Sequence, residues 1–235
     1  MKTLNIISGG AAQGLVAALA PELKTRTGFE IAGEFGAVGA MADKLREGMP
    51  ADIVILTAAL IAKLADETLV VPSSIADVGI VETAIAVRAG DPKPPVGDAA
   101  SLRAVLLEAD AIFVPDIKAS TAGIHVAKVL EHLGITGAVA DRLKIYPNGA
   151  TAMRHLAASD AARPIGCTQS TEIIATKGIA LSAPLPPECA LKTMYTAAIT
   201  TRAANAGPAQ ALIDLLTGVD AQEVRTKAGF VGGGT

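Results

Sequence analysis

Four short stretches place small, hydroxyl-bearing or amide-bearing residues directly before a helical pattern. They are Ser8-Gly9-Gly10 in "IISGGAAQG", Ala37-Val38 between two glycines in "EFGAVGAM", Lys118, Ser120 and Thr121 before Ala122-Gly123 in "DIKASTAGI", and Asn148-Gly149-Ala150 in "YPNGATAM". The start of a helix carries N–H groups with no partner inside the helix and the positive end of its dipole, so it attracts anions. Hydroxyls and amides add directional hydrogen bonds, and glycines let a ligand approach the backbone. The chemistry on offer is capture of a small anion by mostly neutral donors, with Lys118 supplying a charge. The same residue types also cap helices, each contributing about 1 kcal/mol. Capping accounts for any one turn taken alone, and the recurrence of four makes the case for a site.

Other chemistries find little support. No stretch matches the G-x-x-x-x-G-K-[ST] phosphate loop or the G-x-G-x-x-G dinucleotide fingerprint, so no nucleotide cofactor is expected. The three histidines (His125, His132, His155) and two cysteines (Cys167, Cys189) stand in no metal-ligand spacing. No residue sits in a diagnostic catalytic motif. If the chain is an enzyme, the proton carriers to consider are Lys118, His125 and Glu172. Each has a plain alternative: Lys118 as a solvated lysine, His125 as a packed or solvent-facing histidine, Glu172 as an acid supporting a helix start.

The elements that position these turns alternate along the chain. Apolar runs at 4–8, 29–35, 51–57, 111–116, 143–147 and 163–169 read as strands, most of them followed by a helical pattern, which predicts an α/β fold with largely parallel strands. A longer extended run covers 78–90, and "DPKPPVGD" (91–98) breaks the pattern as a hinge or lobe boundary does. Two lobes are expected, one from 1–83 with 196–235 and the other from 84–195. In an open α/β sheet ligands bind beyond the carboxyl ends of the strands, where the four turns lie.

Composition narrows the partners. The 235 residues carry a net charge of −3 with no basic stripe, so nucleic acid is not an expected partner. No apolar run reaches the roughly 18 residues needed to span a bilayer, so no membrane insertion is expected. After Met1-Lys2-Thr3 the chain enters strand sequence at once, without the pattern of a secretory signal. It is expected in the cytoplasm, or in the periplasm if a signal has been removed. A monomer is expected.

The segment "LREGMPADIVIL" (45–56) resembles the "L-x-x-G-x-P-A-D" step of type II periplasmic solute-binding proteins of the molybdate-binding kind. "STAGIHVAKVLEHLGI" is similar to that family's "P-A-G-x-Y-A-x-x-x-L-x-x-L-G", and "RPIGCTQSTEI" to its "L-G-I-V-Y-x-S-D-A". The resemblance covers nearly the whole chain. It implies a two-lobed fold joined by crossover strands, a small anion clamped in the cleft, no cofactor, and a membrane permease as partner in transport. It also implies backbone donors at Ala122 and Ala150. The family's oxyanion is held by a Ser in the first turn, a Ser in the second and a late Tyr. Here those positions fall near Gly10, on Ala37-Val38-Gly39 and near Gln169. A changed set of donors on a retained scaffold points to an organic carboxylate in place of molybdate. The alternative is an isomerase of an unsaturated tricarboxylate, resembling the aconitate isomerases, on the same scaffold.

Overall fold

The computed structural model describes residues 2–232. The elements are, in chain order, β1 (Lys2–Gly9), α1 (Gln13–Thr27), β2 (Phe29–Gly36), α2 (Val38–Arg46), β3 (Ile53–Thr57), α3 (Ala58–Asp66), β4 (Ala76–Arg88), α4 (Ala99–Glu108), β5 (Ala111–Pro115), α5 (Thr121–His132) and α6 (Thr136–Val139). They continue with β6 (Leu143–Tyr146), α7 (Gly149–Ala157), β7 (Pro164–Gln169), α8 (Ser170–Ala175), β8 (Ile179–Pro184), β9 (Lys192–Ile199), α9 (Ala206–Thr217) and α10 (Gln222–Lys227). The expected strands and helices are all present, with ends displaced by no more than two residues. The short α6, between α5 and β6, is an addition: four residues give too little periodicity to show in sequence.

The chain packs as two compact units, residues up to Val81 with those from Thr193 onward, and Glu82–Lys192. It leaves the first unit within β4 and returns at the start of β9. In the first unit the strand order is β2-β1-β3-β9, with β1 parallel to β2 and β3, and β9 antiparallel to β3. The middle strands are apolar on both faces because helices cover both; Ile53, Val54, Ile55 and Leu56 are all sealed from solvent. In the second unit the order is β4-β7-β5-β6, with β8 also paired to β4. Here β5 is parallel to β6 and β7, while β4 is antiparallel to β7 and β8. The result is an α/β fold of mostly parallel sheet flanked by helices.

The "GMPAD" step earns its residues through packing. Gly48 takes a positive φ of 91° just past the end of α2, a conformation that favours glycine. Asp52, 2% exposed, accepts the backbone N–H of Asn5 at 2.8 Å and that of Asn205 at 2.8 Å. One buried carboxylate thereby ties the approach to β3 to β1 and to the start of α9.

In the second unit the alternation of side chains along β7 decides which face each residue serves. Cys167 faces the layer that holds Leu102, Leu106, Val126 and Leu130 of α4 and α5. Its cross-strand partner Ile85 lies in the same layer. On the other face Ala84 and Ala86 of β4 pack with Ala152, Met153 and Leu156 of α7 and with Ile173 of α8. Gly166 fits this face because a Cβ there would stand 2.5 Å from the end of Met153.

Candidate ligand-binding site

In the first unit β1 runs out at Ser8-Gly9. Ser8 is fully buried and its hydroxyl donates to the Gly9 carbonyl at 2.9 Å. Gly9 is enclosed: a Cβ would lie 2.7 Å from Val38 and 2.9 Å from the ring of Tyr195. Gly10 opens a short 3-10 turn ahead of α1, and Ala37 precedes the first turn of α2, which begins at Val38. Neither start receives a side-chain cap among the described residues. Tyr195 is buried with its ring against Gly9, in keeping with a reading as core.

The second unit holds the other two turns and Gln169. At the turn into α5, Asp116 Oδ1 accepts the N–H groups of Lys118 at 2.7 Å and Ala119 at 2.9 Å, and these hold its carboxyl below the ordinary range. Asp116 therefore builds the turn. Ser120 occupies the capping position, is 8% exposed and makes no capping hydrogen bond. Thr121 and Ala122 open the helix, and Gly123 lies so close to the Asp116 and Pro115 carbonyls that a Cβ would collide with both. Lys118 is exposed beside this start. His125, one turn in, approaches the Cys189 carbonyl with Nε2 at 2.8 Å. That contact anchors α5 to the segment before β9 and engages one of the two ring nitrogens.

The turn into α7 is organised differently. Asn148 caps it, its Oδ1 accepting the Thr151 N–H at 2.8 Å. Glu172 is enclosed on the α7–α8 face, and burial pushes its carboxyl up. Against that, the Thr168 hydroxyl donates to Oε2 at 2.6 Å, and the N–H groups of Ala150, Gln169 and Gly149 are directed at the carboxylate. Gly149 has no room for a side chain, because a Cβ would run into Glu172 and Thr168. The start of α7 thus has acceptors supplied from within the chain, Asn148 for the Thr151 N–H and the Glu172 carboxylate beside Gly149 and Ala150. Glu172 is a buried acid at two helix starts, in line with its sequence reading as an acid supporting a helix start.

Gln169 lies in register with Thr83 of β4. Both are buried, at 3% and 1% exposure, and Gln169 Oε1 and Thr83 Oγ1 have no hydrogen-bond partner. Thr83 was not among the expected site residues. The only trace of it in the sequence is a lone hydroxyl among the apolar residues of "TAIAV".

The fold is that of a known group. The family model described as bacterial extracellular solute-binding protein matches residues 4–231. The chain belongs to this family. Among solved structures the solute-binding protein resembles the periplasmic molybdate-binding protein of Azotobacter vinelandii, with a TM-score of 0.81, 22% identity, and coverage of 97% of this chain and 99% of the other. It also resembles the sulfate-binding protein SubI of Mycobacterium tuberculosis, with a TM-score of 0.75, 19% identity, and coverage of 98% and 86%. The expected type II, molybdate-binding-like fold is therefore the fold found. A curated relative, an aconitate isomerase from a Pseudomonas species, is 25% identical over an alignment of 239 residues, covering 97% of this chain and 87% of the relative. No helix among the described residues is long and apolar enough to cross a membrane.

Proposed function

We propose that this solute-binding protein captures a small organic carboxylate at the start of α5 and passes it to a membrane permease. The observation that carries the reading is the contrast between the helix starts of the second unit. The start of α7 is closed by Asn148 and Glu172, whereas the start of α5 has a buried Ser120 that does not cap it and Lys118 beside it. Ser120, Thr121 and the Ala122 N–H supply short directional bonds, Lys118 supplies charge, and Gln169 supplies an amide. A planar carboxylate on a carbon skeleton uses such a mixed set better than a bare tetrahedral oxyanion.

Titration calorimetry with di- and tricarboxylates, molybdate, tungstate and sulfate tests the proposal. Micromolar binding of a carboxylate, weakened about tenfold by Lys118→Ala through loss of a charge-assisted bond, is the expected result. No binding across the panel, or tighter binding of molybdate, sinks it.

A second reading is isomerisation of an unsaturated tricarboxylate, favoured by the match of 97% of this chain to 87% of an aconitate isomerase. Of the three proton carriers considered, His125 is engaged with Cys189 and Glu172 with the α7 and α8 starts, which supports Lys118 as the carrier in this reading. Incubating cis- or trans-aconitate with the protein and following isomer composition decides between the readings. Turnover abolished by Lys118→Ala supports the enzyme, and tight binding without turnover supports the receptor.

A further inference from the structure

Thr83 and Gln169 face each other across β4 and β7, and as cross-strand partners their side chains project from the same face of the sheet. That face is the α4–α5 side, since Ile85 and Cys167, two residues away on each strand, pack there with Val126 and Leu130. The pair therefore sits at the carboxyl end of β7 on the side of the α5 start. Thr168, the next residue back, points the other way and is bonded to Glu172. The two faces of this strand end differ sharply: one polar group is satisfied and the other pair is not. An unpaired buried oxygen is unfavourable, and such atoms persist mainly where something else supplies the partner.

The two side chains have a common property. A threonine hydroxyl both donates and accepts, and a glutamine amide carries an acceptor and donors on one group that can turn over. A ligand group that itself both donates and accepts satisfies the pair whichever way the amide is turned. A fully deprotonated oxyanion does so in one orientation only. We propose that Thr83 and Gln169 form a subsite for a hydroxyl on the carboxylate ligand, so that the protein selects hydroxy acids over their deoxy counterparts. The inference rests on the carboxylate-binding reading above. Because the pair is sealed from bulk solvent, water competes poorly for it, and a ligand lacking the hydroxyl leaves it unpaired.

Two matched pairs of probes test this by calorimetry: citrate against tricarballylate, and malate against succinate. The wild type is expected to bind the hydroxylated member of the effective pair about tenfold more tightly, the usual worth of one hydrogen bond to a desolvated site. Thr83→Val is expected to shrink that ratio markedly, with no loss of melting temperature because the hydroxyl has no partner to lose. Equal affinities in the wild type, as a trapped water would give, overturn the subsite and leave carboxylate binding intact. An unchanged ratio in T83V does the same. A T83V protein that is destabilised or unfolded shows that the hydroxyl has a structural partner, which also overturns it. Binding of none of the four acids, nor of any other carboxylate, overturns this inference and the carboxylate reading together.

Discussion

The Thr168 hydroxyl donates to Glu172 Oε2 at 2.6 Å, beneath the start of α7. Three backbone N–H groups from two helix starts are directed at the same carboxylate. The chain thus fills one of its own anion seats with its own carboxylate.

Glu172 gives the fold a pH dependence of definite sign. Burial raises its folded carboxyl above the ordinary value of about 4.3. In the window above that value the folded state holds the proton more tightly than the unfolded chain, so this group's contribution to stability is greatest at low pH and falls as pH rises toward the folded pKa. Glu172→Gln mimics the protonated form and lacks the slope. Denaturation of both proteins from pH 4 to 8 should show the wild type losing stability relative to E172Q as pH rises. A constant difference would refute the assignment.

Asp52 makes a prediction about stability alone. Its loss removes a buried carboxylate that accepts the backbone N–H groups of Asn5 and Asn205. Asp52→Ala should therefore destabilise the first unit by about 3 kcal/mol, judged from the typical worth of hydrogen bonds to a charged group. Urea unfolding measures it, and a loss below about 1 kcal/mol would show that neither bond matters.

Ser120 separates capping from binding. A serine that caps a helix loses about 1 kcal/mol on change to alanine, but Ser120 makes no such bond. Ser120→Ala should leave the unfolding midpoint unchanged and weaken carboxylate affinity. The reverse pattern would return it to a cap.

Cys167 should be chemically silent. Burial pushes its thiol up to about 12, with Cys189 adding to the effect, and both cysteines are free. Native protein treated with a thiol reagent at pH 8 should leave Cys167 unmodified until denaturant is added, because the thiolate is the reactive form. Prompt labelling would contradict this burial.

Much of the fold was legible before any coordinates. Apolar runs broken by glycine and proline marked β1, β3, β5 and β7, and helical spacing marked α1, α5 and α9, because burial of both sheet faces and one helix stripe writes itself into local pattern. The four turns were equally visible. What each turn does with its polar groups was not. Asn148 and Ser120 look alike in sequence, yet Asn148 caps its helix and Ser120 does not. The difference lies in the conformation of each turn, since the Asn148 cap closes on Thr151 only three residues on.

The sequence by itself determined the alternation of strands and helices, the family likeness carried by "LREGMPADIVIL", and the supply of neutral donors at helix starts. Only the tertiary structure decided which donors are already taken. Glu172 reaches Gly149 and Ala150 across more than twenty residues, and Thr83 meets Gln169 across a strand pair 86 residues apart in the chain (169 less 83). Local pattern records whether a residue faces the core, because burial acts on each side chain separately. A hydrogen bond depends on two atoms meeting, and that meeting is set by the register of strands distant in sequence.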